Sequence, residues 1–397
     1  MKIGDFTVQL TASGLFTRLD RELGMLVFSP YTGLMFAVHS DDVQGTLDWL
    51  RGDGKAPGEK IRQALGMGWD KSIIRGDYPW PHYLADRGQW EVYPAPAKFP
   101  ILINWFLTGK CPLACQYCDA RDLMITSSEP SLKDMKLIAD RILTYNPIAV
   151  VLTGGEPLAS PFIEECVRFL HGRTGIMVDT NGLFLNDSMV RLFKEKSVVV
   201  RISIDSAIPR VNDGLRRLGC DSNGIRLGSD YNISSLKVAL QAVTSCLDAG
   251  IPITVQTVAS RKNWNDLIEL GTRLYRLGVQ SWRVHLVALQ KNTPIYRLLA
   301  VPLKSRVEVL HRLRNIRFWQ GMDFQLVDDA SRDSVVLVSP DGRYLFESEA
   351  GLGKKLIDPA HPCQPDPDQI FKKVSAQDHA KRYLGQSDSL LGRWLSE

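Results

Sequence analysis

The chain has 397 residues, of which 44% are hydrophobic and 23% charged, a balance typical of folded globular domains that excludes a disordered chain. Its formal net charge is only +4 and its basic residues form no block, so composition gives no strong signal for nucleic-acid binding. No apolar run is long enough to span a membrane and the first residues lack a signal-peptide pattern, so we expect a cytoplasmic protein.

The pattern of residues 1–95 predicts a small N-terminal α+β domain. Short apolar runs predict strands at 16–19, 24–29 and 33–38, with the turn Pro30-Tyr31-Thr32-Gly33 between the last two. Helices are predicted after Asp41 and after Pro57. The proline-rich residues 77–100 suit a linker that lies over a surface.

Residues 96–290 alternate between apolar runs and amphipathic helices. Six β–α repeats with nearly continuous hydrophobic strands predict a parallel sheet buried on both faces, arranged as a partial (β/α)6 barrel. In such sheets the chemistry gathers at the C-terminal ends of the strands. The predicted strands are 101–107, 148–153, 175–179, 198–205, 251–258 and 282–287, and the helices are 131–145, 161–170, 187–194, 234–249 and 264–277.

Residues 291–397 are predicted to form a C-terminal extension. It contains a helix at about 304–318, a strand at 324–327 and a hairpin at 335–346 around Pro340-Asp341-Gly342. Its single cysteine is Cys363.

The segment Cys111-Pro-Leu-Ala-Cys115-Gln-Tyr-Cys118 follows the first barrel strand. Three thiolates are soft ligands that suit zinc or an iron–sulfur cluster. A structural zinc site takes four ligands, and the nearest histidines, His82 and His171, are distant along the chain. We therefore predict a catalytic cluster with an open position; buried structural cysteines, or zinc with a distant fourth ligand, are the alternatives.

With this loop, the chain resembles the radical S-adenosylmethionine (SAM) family, whose signature is C-x3-C-x2-C with an aromatic residue before the last cysteine, here Tyr117. The resemblance implies a [4Fe–4S] cluster held by Cys111, Cys115 and Cys118, with SAM bound to the open iron through its amino and carboxylate groups. It also implies reductive cleavage of SAM to methionine and a 5′-deoxyadenosyl radical, which abstracts hydrogen from a substrate.

The resemblance continues at the ends of the later strands. Gly154-Gly155-Glu156-Pro157 matches the family's G-G-E-P motif, which contacts the SAM amino group; glycines allow close approach and a carboxylate can accept from an ammonium. Arg216 is predicted to lie near the SAM carboxylate, with a solvated surface charge as the alternative, and His285 could point into the barrel or be structural. The other predicted SAM-binding residues are Tyr117 of the cysteine loop, Thr180 and Asn181 of a T-N-G segment, Ser203 and Asp205 of a segment similar to S-I-D-G in which Ser206 replaces the glycine, and Gln256.

The substrate is less defined than the cofactors. Residues 26–38 and 41–51 resemble the PqqD-like domain of peptide-modifying radical SAM enzymes, which binds leader peptides by strand addition; a winged-helix-like structural cap is the alternative. The extension lacks the cysteines that hold auxiliary clusters in many peptide-modifying members. Cys166 and Cys246 on predicted helices suit a core, whereas the loop residues Cys220 and Cys363 are candidates to donate a hydrogen atom, with Cys363 preferred.

The leading hypothesis is a radical SAM enzyme that modifies a ribosomally synthesised peptide by cross-linking, epimerisation or a related reaction. Its electron donor would be a protein such as flavodoxin or ferredoxin. The alternatives are a radical SAM enzyme that acts on a small metabolite, and a non-catalytic zinc- or cluster-binding interaction module.

Overall fold

The computed structural model describes residues 6–9, 16–20, 24–28, 30, 35–38, 91–94, 102–118, 120–121, 124, 127–219, 233–287, 294–301, 308, 322–327 and 336–346. The helices predicted after Asp41 and Pro57, the helix predicted near 304–318, and Cys220 and Cys363 lie outside these residues. Within the described ranges, no helix has the length and apolar character needed to cross a membrane.

The N-terminal strands form an antiparallel sheet in the order β4-β3-β2-β1-β5. The second, third and fourth of these strands in the chain correspond to the three predicted ones. The sequence pattern did not predict the first and the fifth. The strands are β1 (Phe6–Gln9), β2 (Phe16–Asp20), β3 (Gly24–Phe28), β4 (Met35–Val38) and β5 (Glu91–Pro94).

A nine-stranded sheet forms the barrel wall. The six predicted barrel strands lie side by side in chain order, and each pairs in parallel with the next. The predicted fold class is therefore confirmed. These strands are β6 (Leu102–Thr108), β8 (Ala149–Gly154), β9 (Gly175–Thr180), β10 (Val199–Ser203), β12 (Ile253–Ala259) and β13 (Ser281–Leu286), while β7 (Leu113–Cys115) and β11 (Arg216–Leu218) pair separately.

The C-terminal region adds strands to both edges of these six. β14 (Asp323–Val327) pairs in parallel with β13, and β15 (Val336–Val338) pairs in parallel with β6. β16 (Tyr344–Phe346) then completes the predicted hairpin with β15. The expected six-stranded wall therefore has eight parallel strands, because the open edges of a partial barrel carry backbone groups that further strands can pair with.

Helices cover the outside of the wall. The first is α1 (Leu132–Thr144), and it begins where predicted because Ser131 and Asp134 form a capping box. Cys166 and Cys246 are fully buried in the core between helices and strands, as predicted. The other helices of this layer are α2 (Ile163–Leu170), α3 (Asp187–Glu195), α5 (Ser235–Asp248) and α6 (Leu267–Leu277). Two short helices, α4 (Pro209–Leu215) and α7 (Pro294–Leu299), pack instead in a small cluster with Tyr117.

The inner face of the barrel changes from apolar to polar along the strands. Near their N-terminal ends, Phe28 of β3 is fully buried against Leu102, Val151, Met177 and Val199, so β3 packs against this end of the barrel. Further along, alternate strand residues are half-buried and polar, which places them on one face. These residues are Asn104, Thr153, Asp179, Ser203, Gln256, Arg283 and His285.

Candidate active site

The cysteine loop leaves the C-terminal end of β6. Its strand β7 pairs with β11, which places Cys115 opposite Arg216. Cys111, Cys115 and Cys118 are half-buried and form no disulfide. Burial, then the nearby charge of Glu156 and those of the other two thiols, raise the pKa of Cys111 to about 12.

This donor set fits an iron–sulfur cluster. A buried thiol with a raised pKa stays protonated at neutral pH, and a bound cation favours its thiolate form. Among the described residues, no three His, Cys, Asp or Glu side chains are grouped as they would be around a single ion. A cubane binds each thiolate on a different iron, so three protein ligands leave one iron open to another molecule.

The glycines of the G-G-E-P segment lie against the start of the cysteine loop. The Gly155 N–H donates to the Thr108 carbonyl (2.9 Å) and the Glu156 N–H donates to the Lys110 carbonyl (2.8 Å). Gly154 has φ of 126°, and a Cβ there would lie 2.5 Å from the Thr108 oxygen; a Cβ on Gly155 would overlap the Lys110 carbonyl. These glycines let β8 approach the loop closely, and their contact with SAM stays a prediction.

The Glu156 carboxylate joins the ends of β8 and β9. It accepts hydrogen bonds from the Thr180 hydroxyl (2.7 Å), the Asn181 N–H (2.7 Å) and the Leu158 N–H (3.1 Å), and the residue is 1% exposed. Burial raises the pKa of Glu156 to about 7 against the effect of these hydrogen bonds. The carboxylate thus has protein partners of its own, while its predicted contact with the SAM amino group stays a prediction.

Tyr117, Asp205 and Arg216 meet beside the cysteine loop. The Tyr117 hydroxyl donates to the Asp205 carboxylate and accepts from Arg216 Nη1 (2.6 Å). Arg216 Nη1 also lies 3.7 Å from Asp205 Oδ2, and the Arg216 side chain is only 9% exposed. A solvated surface charge, the alternative for Arg216, is therefore wrong.

The other predicted residues line the inner face of the barrel. Ser203 and Gln256 are aligned on neighbouring strands, and both are half-buried, as is His285. Between them and the apolar end of the barrel lies an ion pair that the sequence analysis missed. There the Arg201 guanidinium contacts Asp179 through two nitrogens, with Nη2 2.6 Å from Oδ2.

Two further residues that the sequence analysis missed are buried asparagines that hold the backbone of Asp205. Asn212 Oδ1 accepts from the Asp205 N–H (2.9 Å), and Asn263 Nδ2 donates to the Asp205 carbonyl (2.7 Å). Ser206, which stands where the family usually has glycine, is fully buried and donates to Asp266 (3.0 Å). No local pattern marks a lone asparagine for such a role.

This protein has a parallel partial barrel with three free cysteines in the loop after its first strand. These features are those of the α/β barrels that bind iron–sulfur clusters. Residues 105–274 match the family model of the Radical SAM superfamily, and this part of the chain is a radical SAM domain. The family uses a [4Fe–4S] cluster and SAM.

Two curated relatives each match somewhat less than half of this chain. The mycofactocin maturase MftC of Mycobacterium tuberculosis is 31% identical over 181 residues, which cover 45% of this chain and 43% of the maturase. The AdoMet-dependent heme synthase of Methanosarcina barkeri is 24% identical over 188 residues, covering 47% of this chain and 50% of the synthase. The chain thus spans half or less of the length of these relatives.

Solved structures extend the likeness of fold beyond the domain. SuiB of Streptococcus suis, crystallised with the precursor peptide SuiA, has a TM-score of 0.59 at 11% identity, covering 96% of this chain and 91% of SuiB. The enzyme anSMEcpe, crystallised with AdoMet and the Cp18Cys peptide, has a TM-score of 0.54 at 13% identity, covering 72% of this chain and 82% of that one.

Proposed function

We propose that this protein is a radical SAM enzyme that modifies a ribosomally synthesised peptide. The observation that carries the substrate class is the likeness to SuiB, which covers 96% of this chain and so includes the N-terminal region. SuiB was crystallised with a precursor peptide, and the relative from Mycobacterium tuberculosis is a maturase. Cross-linking, epimerisation and related hydrogen-abstraction reactions all belong to this proposal.

Each part of the site has a role in the proposal. Cys111, Cys115 and Cys118 would hold a [4Fe–4S] cluster, which supplies the electron that cleaves SAM to methionine and a 5′-deoxyadenosyl radical. A protein such as flavodoxin or ferredoxin would deliver that electron. The other residues proposed to contact SAM are Tyr117, Gly154, Gly155, Glu156, Pro157, Thr180, Asn181, Ser203, Asp205, Arg216 and Gln256.

The N-terminal sheet is the proposed binding place for the leader of the peptide. Its order leaves β4 and β5 at the two edges, and an edge strand offers unpaired backbone groups to an added strand. Cys363 remains the candidate hydrogen donor to a substrate radical.

One finding favours the alternative, a small-molecule substrate. The relatives of this chain include a heme synthase, 24% identical over 188 residues, and a nucleotide dehydratase, 24% identical over 285 residues. The half-buried polar residues of the barrel interior would then contact the whole substrate rather than one residue of a peptide.

The test begins with anaerobic reconstitution using iron and sulfide, followed by dithionite and SAM. We expect 5′-deoxyadenosine from the parent and none from a variant with Cys111, Cys115 and Cys118 all changed to Ala. A parent that holds zinc and forms no 5′-deoxyadenosine would leave the interaction module as the explanation.

Substrate class is tested by co-expression with short peptides encoded next to the gene. A mass change in the core of one such peptide, which is absent with the triple Ala variant, supports the proposal. Failure to modify any of them, while 5′-deoxyadenosine still forms and increases with a metabolite, would favour the small-molecule alternative.

A further inference from the structure

A side chain of the cysteine loop forms hydrogen bonds with two charged side chains next to the loop. Tyr117, between Cys115 and Cys118 in the chain, donates its hydroxyl proton to Asp205 and accepts from Arg216 at 2.6 Å. Asp205 is 1% exposed and Arg216 is 8% exposed. Because a buried carboxylate and a buried guanidinium are costly unless paired, the fold must hold them together.

This Tyr117–Asp205–Arg216 network joins separate elements of the barrel. Asp205 follows β10, and its Oδ1 also accepts from the Val258 N–H of β12 (2.9 Å). Arg216 opens β11, which pairs with the loop strand β7. The loop is thus tied through one hydroxyl to the ends of two barrel strands.

The same side of the loop has further ties to the backbone. The Gln116 N–H donates to the Leu215 carbonyl (3.0 Å), and Gln116 Nε2 donates to the Gly214 carbonyl (2.8 Å). Protein hydrogen bonds on both the backbone and the side chain of Gln116 therefore hold the loop next to Cys115.

We infer that Tyr117, Asp205 and Arg216 are positioning residues, which preorganise the cysteine loop for the cluster and set the local charge beside Cys115. This rests on the proposed function, and it adds a second role to the SAM contacts that the family resemblance implies for these three residues. Preorganisation lowers the ordering cost of binding, so the network slows cluster loss even without SAM.

The network also brings opposite charges to the cluster site. Arg216 and Asp205 lie 3.7 Å apart, so their effects on a nearby redox centre largely cancel. Loss of the carboxylate leaves the guanidinium, which favours the more negative, reduced cluster and raises its midpoint potential. Loss of the guanidinium acts in the opposite direction. A low-dielectric surrounding strengthens both effects.

The first experiment measures iron release from reconstituted, SAM-free protein to a chelator under anaerobic conditions. Tyr117→Phe removes one oxygen atom and leaves both charges, and we expect release to be roughly ten-fold faster, equivalent to about 1.4 kcal/mol for a hydrogen bond to charged partners. The matched control, Tyr275→Phe on α6, should release iron at the parent rate.

The second experiment measures the midpoint potential of the SAM-free cluster by redox titration followed by EPR. Asp205→Asn should raise the potential, Arg216→Met should lower it, and the double variant should lie near the parent. Arg217→Met is the control, since Arg217 is an exposed neighbour on the same strand and should change the potential little. Should Arg216→Met fail to fold, Tyr117→Phe and Asp205→Asn still decide the outcome.

The outcomes separate the possible roles. Unchanged iron release and potential, with weaker SAM binding to the loaded variants, would show that these residues serve only as SAM contacts and overturn the inference. A parent that takes up no iron–sulfur cluster contradicts the proposed function and this inference with it. A loaded parent with unaffected variants contradicts the inference alone.

Discussion

Replacing Glu156 by Gln tests whether a buried, ionisable carboxylate joins the ends of β8 and β9. The pKa of Glu156 is raised from 4.5 to about 7 in the folded protein, mainly by burial. The folded state therefore holds this proton more tightly than the unfolded chain. Stability from the group is fully present below about pH 4.5 and is lost as the pH rises through 7.

The size of the effect follows from the two pKa values. Between pH 5 and pH 8 the contribution of Glu156 to the free energy of unfolding falls by about 2.5 kcal/mol. Gln cannot titrate, so its contribution does not change with pH. Its amide NH2 would face the Thr180 hydroxyl or the Asn181 N–H, which are donors themselves, and we therefore expect the variant to be less stable than the parent at pH 5. The stability gap between parent and Glu156→Gln should therefore shrink by about 2.5 kcal/mol from pH 5 to pH 8.

Urea unfolding of the cluster-free proteins at several pH values measures this gap. Cys111, whose pKa is raised to about 12, stays protonated throughout and adds no titration of its own. Glu269→Gln on α6, at an exposed position, is the control and should show no such trend. A gap that stays constant or widens with pH would refute the reasoning about Glu156.

Two further predictions concern packing, and a third concerns the Arg201–Asp179 ion pair. Gly155→Ala should prevent uptake of iron, measured after reconstitution, because its Cβ would overlap a carbonyl at the start of the cysteine loop; Gly214→Ala, with no atom within 4 Å of the new Cβ, should load like the parent. Phe28→Ala should lower the free energy of unfolding by about 3–5 kcal/mol in urea titrations, since it removes a fully buried ring, and a loss below about 1 kcal/mol would contradict a packed barrel end. Arg201→Met should cost about 3–5 kcal/mol at pH 7 by leaving the Asp179 carboxylate unpaired, and Arg201→Met combined with Asp179→Asn should recover part of that loss.

Local sequence patterns were sufficient to predict the barrel repeats. Each of the six strands is a short apolar run, and each predicted helix in the described ranges lies within a few residues of the observed one. A capping box such as Ser131 with Asp134 acts over a single turn, so the sequence alone shows it. The spacing of Cys111, Cys115 and Cys118 is equally local.

Only the tertiary structure decided how distant residues share the site. The two additional parallel strands, β14 and β15, pair with opposite edges of the sheet, and three-residue strands such as β15 carry too little pattern to be assigned to an edge. Asp205 meets Tyr117 across 88 residues of chain and Asn263 across 58. Such contacts depend on how strand ends converge in the barrel, and a period of apolar residues holds no information about that convergence.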